Sequence, residues 1–263
     1  MRILLVSCYD LGRQPVAVAS AGAFLRQAGH HVDYLDLAVQ DHIPDGPYPL
    51  IAISTPMHTA LRVAMDAAAD FRRSMPGAHI AFFGYYGWLN SEILFHRGLA
   101  DSVLGGEPEQ PLRNLAGRLE TSGQPVPPEH KPDLELARPK YPVPDRRKLP
   151  ELDRYARYLD GGRTRLAGAV ETTRGCKVMC THCPIPPVYG GKFLAVPTDV
   201  VLADVANLVD AGAGHITFAD PDFLNGPTHA MKVAEAVHDR FPDQTFDFTA
   251  RVRHILDNRN ILP

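Results

Sequence analysis

No apolar run in this sequence approaches the ~18–20 residues that a membrane-spanning helix needs. The opening MRILLVSCY turns polar too soon for a signal peptide. Basic stripes are missing as well: formal net charge is −3, which argues against nucleic acid as the main partner. These absences place the protein, as an expectation, in the cytoplasm and away from membranes. Cysteine is scarce, with four in 263 residues, and there is one tryptophan, Trp88. In a reducing compartment a disulfide framework is excluded, and clustered thiols serve metals or chemistry instead. Three of the four do cluster, in TTRGCKVMCTHCPIPP (172–187), whereas Cys8 stands alone at the end of an apolar run, where a buried thiol is the ordinary reading.

What is present is a core-forming composition, 45% hydrophobic and 22% charged, in two stretches of strand–helix alternation. RILLVSCY (2–9), HVDYLDLA (31–38), LIAISTPM (50–57), HIAFFGYY (79–86) and DSVLGGE (101–107) read as strands. PVAVASAGAFLRQAG (15–29), TALRVAMDAAADFRRSMP (59–76) and QPLRNLAGRLETSG (110–123) read as helices, the first ended by Gly29 and the second by Pro76. Apolar strands separated by helices predict a doubly wound parallel sheet over residues 1–125, with ligands beyond the strands' carboxyl ends at CYDLGRQP, STPMHT, GYYGWLN and GGEPEQ. A proline-rich linker follows over 126–165, its boundary marked by Pro127 and Pro128, with LPELDRYARYLDGG (149–162) expected as a short helix. The second stretch, 166–263, holds strands at 165–176, 215–223 and 245–252. Its helices fall at 198–213, capped by Thr198, and at 229–241. Three βα units cannot close a barrel; the expectation is a fragment of a longer protein.

Cys176, Cys180 and Cys183 have the spacing C-x3-C-x2-C. Gly175 lets the backbone turn sharply into the loop. Three thiolates hold three irons of a [4Fe–4S] cube and leave the fourth iron open to a ligand. Two non-catalytic readings stand beside this one. A zinc knuckle would add His182 or His215 as a fourth ligand, although His182 sits between two of the thiols. An iron–sulfur electron carrier would need a fourth nearby cysteine, and Cys8 lies in the other stretch. Trp88 and the Tyr85–Tyr86 pair suit a core or rim position, or a stack on a flat ligand.

RGCKVMCTHC resembles the signature of the radical S-adenosylmethionine (radical SAM) superfamily. The resemblance implies a partial or full (β/α) barrel and a [4Fe–4S] cluster on Cys176, Cys180 and Cys183. The open iron would take the amino and carboxylate groups of S-adenosylmethionine, whose reductive cleavage starts radical chemistry. It further implies His182 near the adenine, and Asp220 and Asp222, in FADPDF, as contacts of the amino group. Thr249 and Arg251 are implied at the ribose or carboxylate. An external reductant such as flavodoxin or ferredoxin would act as partner.

The whole layout resembles the branch in which a cobalamin-binding-type domain precedes the radical domain, with GGEPEQPL (105–112) similar to the turn opening that domain's last helix. GRQP, PMHTA and DPDFLNGP resemble the group named for a Cys- or selenocysteine-Cys-Ala-Glu-Pro tail, a tail not found before Pro263. Cobalamin is an implied cofactor, but not through a protein histidine. The D-x-H-x-x-G pattern is replaced by Asp10-Leu11-Gly12-Arg13-Gln14-Pro15, with Gly12 at the histidine's place. Methyl transfer or other carbon-centred radical chemistry is the implied reaction. Nothing singles out a peptide, nucleotide, lipid or small metabolite as substrate.

Overall fold

The computed structural model describes residues 1–122 and 131–261. It divides into two compact units, Met1–Leu149 and Pro150–Pro263. Pro127 and Pro128 lie outside the described residues, and the division, between Leu149 and Pro150, falls inside the linker expected at 126–165. None of the helices among the described residues is long and apolar enough to cross a membrane.

The first unit is built on strands β1 (Arg2–Ser7), β2 (His31–Asp36), β3 (Leu50–Ser54), β4 (His79–Phe83), β5 (Ser102–Gly106) and β6 (Asp133–Glu135). They form one parallel sheet in the order β2-β1-β3-β4-β5-β6. Apolar residues run without a break along the central strands because both faces are covered. Leu4, Val6, Ile51, Ile53, Ile80 and Phe82 face one core, shared with α2 (His58–Ser74) and with Leu94. Ile3, Leu5, Leu50, Ala52, Ala81 and Phe83 face the other, under α1 (Val16–Gln27) and α5 (Glu109–Ser122). Between β4 and β5 the chain makes two short helices, α3 (Tyr85–Leu89) and α4 (Ser91–His96). The strand expected to 86 therefore stops at Phe83, because Gly84 turns with φ +98° and opens α3.

Helix α1 ends as expected at a left-handed Gly29, φ +88°. Gly29 N–H donates to the Arg26 carbonyl at 2.9 Å and His30 N–H to Leu25 at 3.1 Å, the paired bonds of a Schellman ending. The stretch 133–149, expected within the linker, belongs to this unit. It supplies β6, and it buries Tyr141 and Leu149, the latter in the α1/α5 core.

In the second unit β7 (Arg157–Asp160), β8 (Arg163–Val170), β11 (His215–Phe218) and β12 (Thr245–Phe248) form a curled sheet in the order β12-β11-β8-β7. β8, β11 and β12 are parallel, and β7 is antiparallel to β8. The helix expected over 149–162 is not formed. Only Leu152–Arg154 makes a helical turn, and Arg157–Asp160 pairs with β8 across Gly161 and Gly162. Both glycines have positive φ, 52° and 86°, which suits the tight two-residue turn of a hairpin.

The strand expected over 165–176 breaks after Val170, and β9 (Thr173–Gly175) turns away to pair with β10 (Phe193–Ala195). Between them lies α6 (Ile185–Tyr189). Helices α7 (Thr198–Asp210) and α8 (Pro227–Arg240) connect the parallel strands, and α9 (Val252–Asp257) follows β12. Thr198 does not cap α7: it is the helix's first residue, Pro197 holds the cap position, and no side chain bonds there.

Candidate active site

The cysteine loop leaves the carboxyl end of β8 and is closed at its base by the β9–β10 ladder, where Gly175 pairs with Phe193. Gly175 has φ +72°, and a Cβ there would lie 2.3 Å from the Lys192 carbonyl oxygen and 2.5 Å from the Tyr189 ring. Only glycine fits this entry to the loop. Lys177 ties the loop to the segment after β11: its Nζ donates to the Asn225 carbonyl at 3.3 Å and lies 4.7 Å above the Phe193 ring.

Cys176 is buried, Cys180 and Cys183 are partly exposed, and all are free thiols. Val178 N–H donates to Cys176 Sγ at 3.4 Å, and Cys183 N–H to the Cys180 carbonyl at 3.3 Å. Burial pushes the Cys176 thiol upward, a shift the Val178 bond opposes and the fields of Asp222, Cys183 and Cys180 reinforce. A thiol in this setting becomes a thiolate when a metal supplies the opposing charge. Among the described residues no three His, Cys, Asp or Glu side chains converge on a single-ion site. His182 is exposed beside the thiols. His215 is at the other end of β11: buried, stacked on Tyr158 at 3.7 Å, with Nδ1 2.8 Å from Thr245 Oγ1. It is not placed to complete a zinc knuckle with the loop.

The two aspartates after β11 differ in surroundings. Asp220 accepts from the backbone N–H of Thr172 at 2.7 Å and of Thr173 at 3.0 Å, and from the Thr172 hydroxyl. It therefore pins the chain between β8 and β9, and α8 adds a bond from His229 Nε2 to the Thr172 carbonyl at 3.1 Å. Burial, outweighing those donors, raises Asp220 to about 6.

Asp222 is 2% exposed, and neither carboxylate oxygen receives a hydrogen bond among the described residues. Asn225 Nδ2 is likewise buried without a hydrogen-bond partner among the described residues. Unsatisfied buried polar atoms mark a place where a ligand supplies the missing bonds. Thr249 and Arg251 lie exposed in the turn between β12 and α9, the strand ending at Phe248 instead of 252. The Thr249 carbonyl accepts from Phe223 N–H at 2.9 Å. His254, on α9, stands 2.7 Å from Asp222 through Nδ1 and Oδ2, and is a member of this group that the sequence did not point to.

In the first unit the loops after β1, β3, β4 and β5 lie at the carboxyl ends of their strands, as expected for a sheet ligand site. A Cβ at Gly105 would lie 2.3 Å from the Trp88 ring, so Trp88 fills the space over that strand end. At Gly106 a Cβ would lie 2.0 Å from the Glu135 carbonyl oxygen, which leaves this glycine to the β5–β6 approach. Gly12 offers no side chain to a metal. Cys8 is buried at the end of β1, its thiol pushed up to about 12 by burial and the nearby Asp36.

A doubly wound sheet unit followed by a curled half-barrel sheet is a fold this chain shares with solved radical S-adenosylmethionine enzymes. No protein-family profile matches the chain. Among known proteins it is similar to hopanoid C-3 methylase of Methylococcus capsulatus, with 24% identity over 254 residues, covering 85% of this chain and 45% of the methylase. Its fold is similar to the radical S-adenosylmethionine methyltransferase TsrM from Kitasatospora setae, solved with tryptophan and a SAM analogue, at a TM-score of 0.67 and 17% identity. That match covers 91% of this chain and 51% of TsrM. The cobalamin-dependent radical enzyme OxsB, solved with aqua-cobalamin, matches at a TM-score of 0.68 and 18% identity, over 98% of this chain and 40% of OxsB. The chain thus spans about half the length of the proteins it matches.

Proposed function

We propose that this chain carries the cluster-binding and SAM-binding half of a radical SAM enzyme, in a protein that transfers methyl groups. The observation that carries the reading is the convergence, after β8 and β11, of a three-thiol loop with the buried Asp222 carboxylate and Asn225 amide, which have no hydrogen-bond partner among the described residues. Cys176, Cys180 and Cys183 would hold a [4Fe–4S] cluster. When bound, the cluster supplies the electron that cleaves the sulfonium bond of S-adenosylmethionine. Asp222 accepts the ammonium of the amino-acid part, which satisfies a buried carboxylate that otherwise has no donor. Asp220 acts one step back, holding the Thr172–Thr173 backbone from which the loop departs. His182 is assigned to the adenine side, and Thr249 and Arg251 to the ribose or carboxylate.

The methyl-transfer assignment rests on hopanoid C-3 methylase and TsrM, both methyl-transferring by name. TsrM and OxsB were solved with cobalamin, and the sheet unit is the place for it here. Any cobalamin it takes would have no ligand from the loop after β1. The electron donor is a flavodoxin- or ferredoxin-type protein.

Anaerobic reconstitution with iron and sulfide tests this. The expected result is a cubane spectrum whose reduced EPR signal changes on adding S-adenosylmethionine, and which is lost in C176A, C180A or C183A. One zinc per chain with no cubane, or a cluster indifferent to S-adenosylmethionine, would return the loop to a structural or electron-carrying role.

A further inference from the structure

We infer that His254 is a positioning residue that holds Asp222 as the acceptor for the ammonium group of the amino-acid part of the bound sulfonium nucleoside. The inference rests on the functional reading above and adds to it a residue from a different element. Asp222 is fixed by its backbone on both sides. Its carbonyl accepts from Asn225 N–H at 3.0 Å, and the next residue's N–H donates to Thr249 at 2.9 Å. Phe223 stacks on Phe218 at 4.7 Å and lies 4.9 Å from Phe248, closing the apolar side. Only the carboxylate remains to be oriented.

A bare carboxylate that is 2% exposed is strongly disfavoured unless a cation or donors face it. His254 comes from the first turn of α9, with a side chain 21% exposed, and sets Nδ1 2.7 Å from Oδ2. The two atoms are close but not aligned as a hydrogen bond, so Oδ2 is approached by the imidazole and Oδ1 is left without a donor. An imidazole nitrogen set against one oxygen, with the other oxygen open, leaves the carboxylate turned to receive an external N–H donor such as an ammonium group. The ring is anchored because α9 starts directly after Arg251, in the turn that also carries Thr249. The turn after β12 thus connects a ligand-facing stretch to the support of the Asp222 carboxylate.

The test uses the cluster-reconstituted chain and S-adenosylmethionine itself, with the equilibrium dissociation constant as readout. H254A and D222N are each expected to weaken binding about tenfold to a hundredfold, the weight of one charge-assisted hydrogen bond. The double variant should be no weaker than the worse single, because His254 acts through Asp222. H254N, whose amide sits near the place of Nδ1, should recover most of the loss. Iron content and the thermal midpoint, matched to wild type, show that a weaker variant is still folded and loaded; if H254A fails that match, H254N and D222N carry the same comparison.

Losses that multiply in the double variant, or H254A and H254N binding as wild type does, overturn the inference while leaving the functional reading intact. A wild-type chain that loads no cluster, or loads one and binds no S-adenosylmethionine, overturns the functional reading and the inference with it.

Discussion

At Asp220 two opposing effects meet in one buried side chain. Three donors from Thr172 and Thr173 favour its charged form, while removal from water favours the neutral one, and burial prevails, leaving it at about 6 against an ordinary 3.8. An acid whose folded value is raised holds its proton in the native state where the unfolded chain has lost it. Stability from this group is therefore full below about pH 4 and falls as pH rises toward 6, by about 1.4 kcal/mol per unit. Asn at this position keeps an oxygen for the two backbone donors but cannot ionise. The stability advantage of wild type over D220N should shrink by about 1–2 kcal/mol between pH 4.5 and pH 7, read from denaturant unfolding. A constant or growing advantage would mean that the three donors outweigh burial. Residues of this scale divide sharply in how far the sequence exposes them. The thiols and Gly175 declare themselves by spacing and by the turn they need. His254 does not, since its partner Asp222 lies 32 positions earlier and meets it only once β12 and α9 are folded.

Helices α1 and α5 pack side by side on one face of the first sheet, and each carries a glycine in its interior. A glycine-to-alanine change in an exposed helix gains about 1 kcal/mol. At Gly117 of α5 nothing lies within 4 Å of the position a Cβ would take, and G117A should show that gain. At Gly22 of α1 the Cβ would lie 1.9 Å from the Tyr34 hydroxyl. Tyr34 is 4% exposed, and its hydroxyl donates to the Asp145 carbonyl at 3.1 Å. G22A forces that ring aside and should destabilise by about 1–3 kcal/mol, from overpacking and the disturbed bond. Parallel thermal melts of the two variants should move in opposite directions; a stabilised G22A would mean that the α1–β2 contact is looser than drawn. The long buried elements were legible because both faces of the sheet demand unbroken apolar runs. β6 and β7 were not. Each is short, lies in a proline-rich stretch, and is a strand only because a neighbour's edge pairs with it. Gly161–Gly162, a two-residue turn signal, was the available sign of β7.

For the molecule as a whole, the decisive question is where its first folding unit ends. Proline density puts the boundary near residue 125, but the packing puts it after Leu149. Asp145 sets the difference. Its carboxylate meets Arg26 Nε at 2.7 Å and Arg147 Nε at 2.9 Å, and its N–H donates to the Ala19 carbonyl at 3.0 Å. Tyr141 donates to the buried Glu107 at 3.2 Å, and Leu149 completes the core under α1 and α5. Removing one partner of a buried ion pair costs about 3–5 kcal/mol. Exposing the site of one large apolar side chain adds about 1.5–3 kcal/mol. Their sum is comparable to the whole stability of a small domain, about 5–15 kcal/mol. A chain of residues 1–149 should therefore unfold cooperatively, whereas 1–125 should be partly unfolded at the same temperature, with lower near-UV circular dichroism and a broadened transition. D145A in the 1–149 chain should reproduce much of that loss of stability on its own, because it removes the carboxylate that Arg26 of α1 faces. Equal stability of the two truncations would show that the prolines, and not the Asp145 anchor, set the boundary. In that case the segment from β6 to Leu149 is a passenger on a sheet already complete at α5.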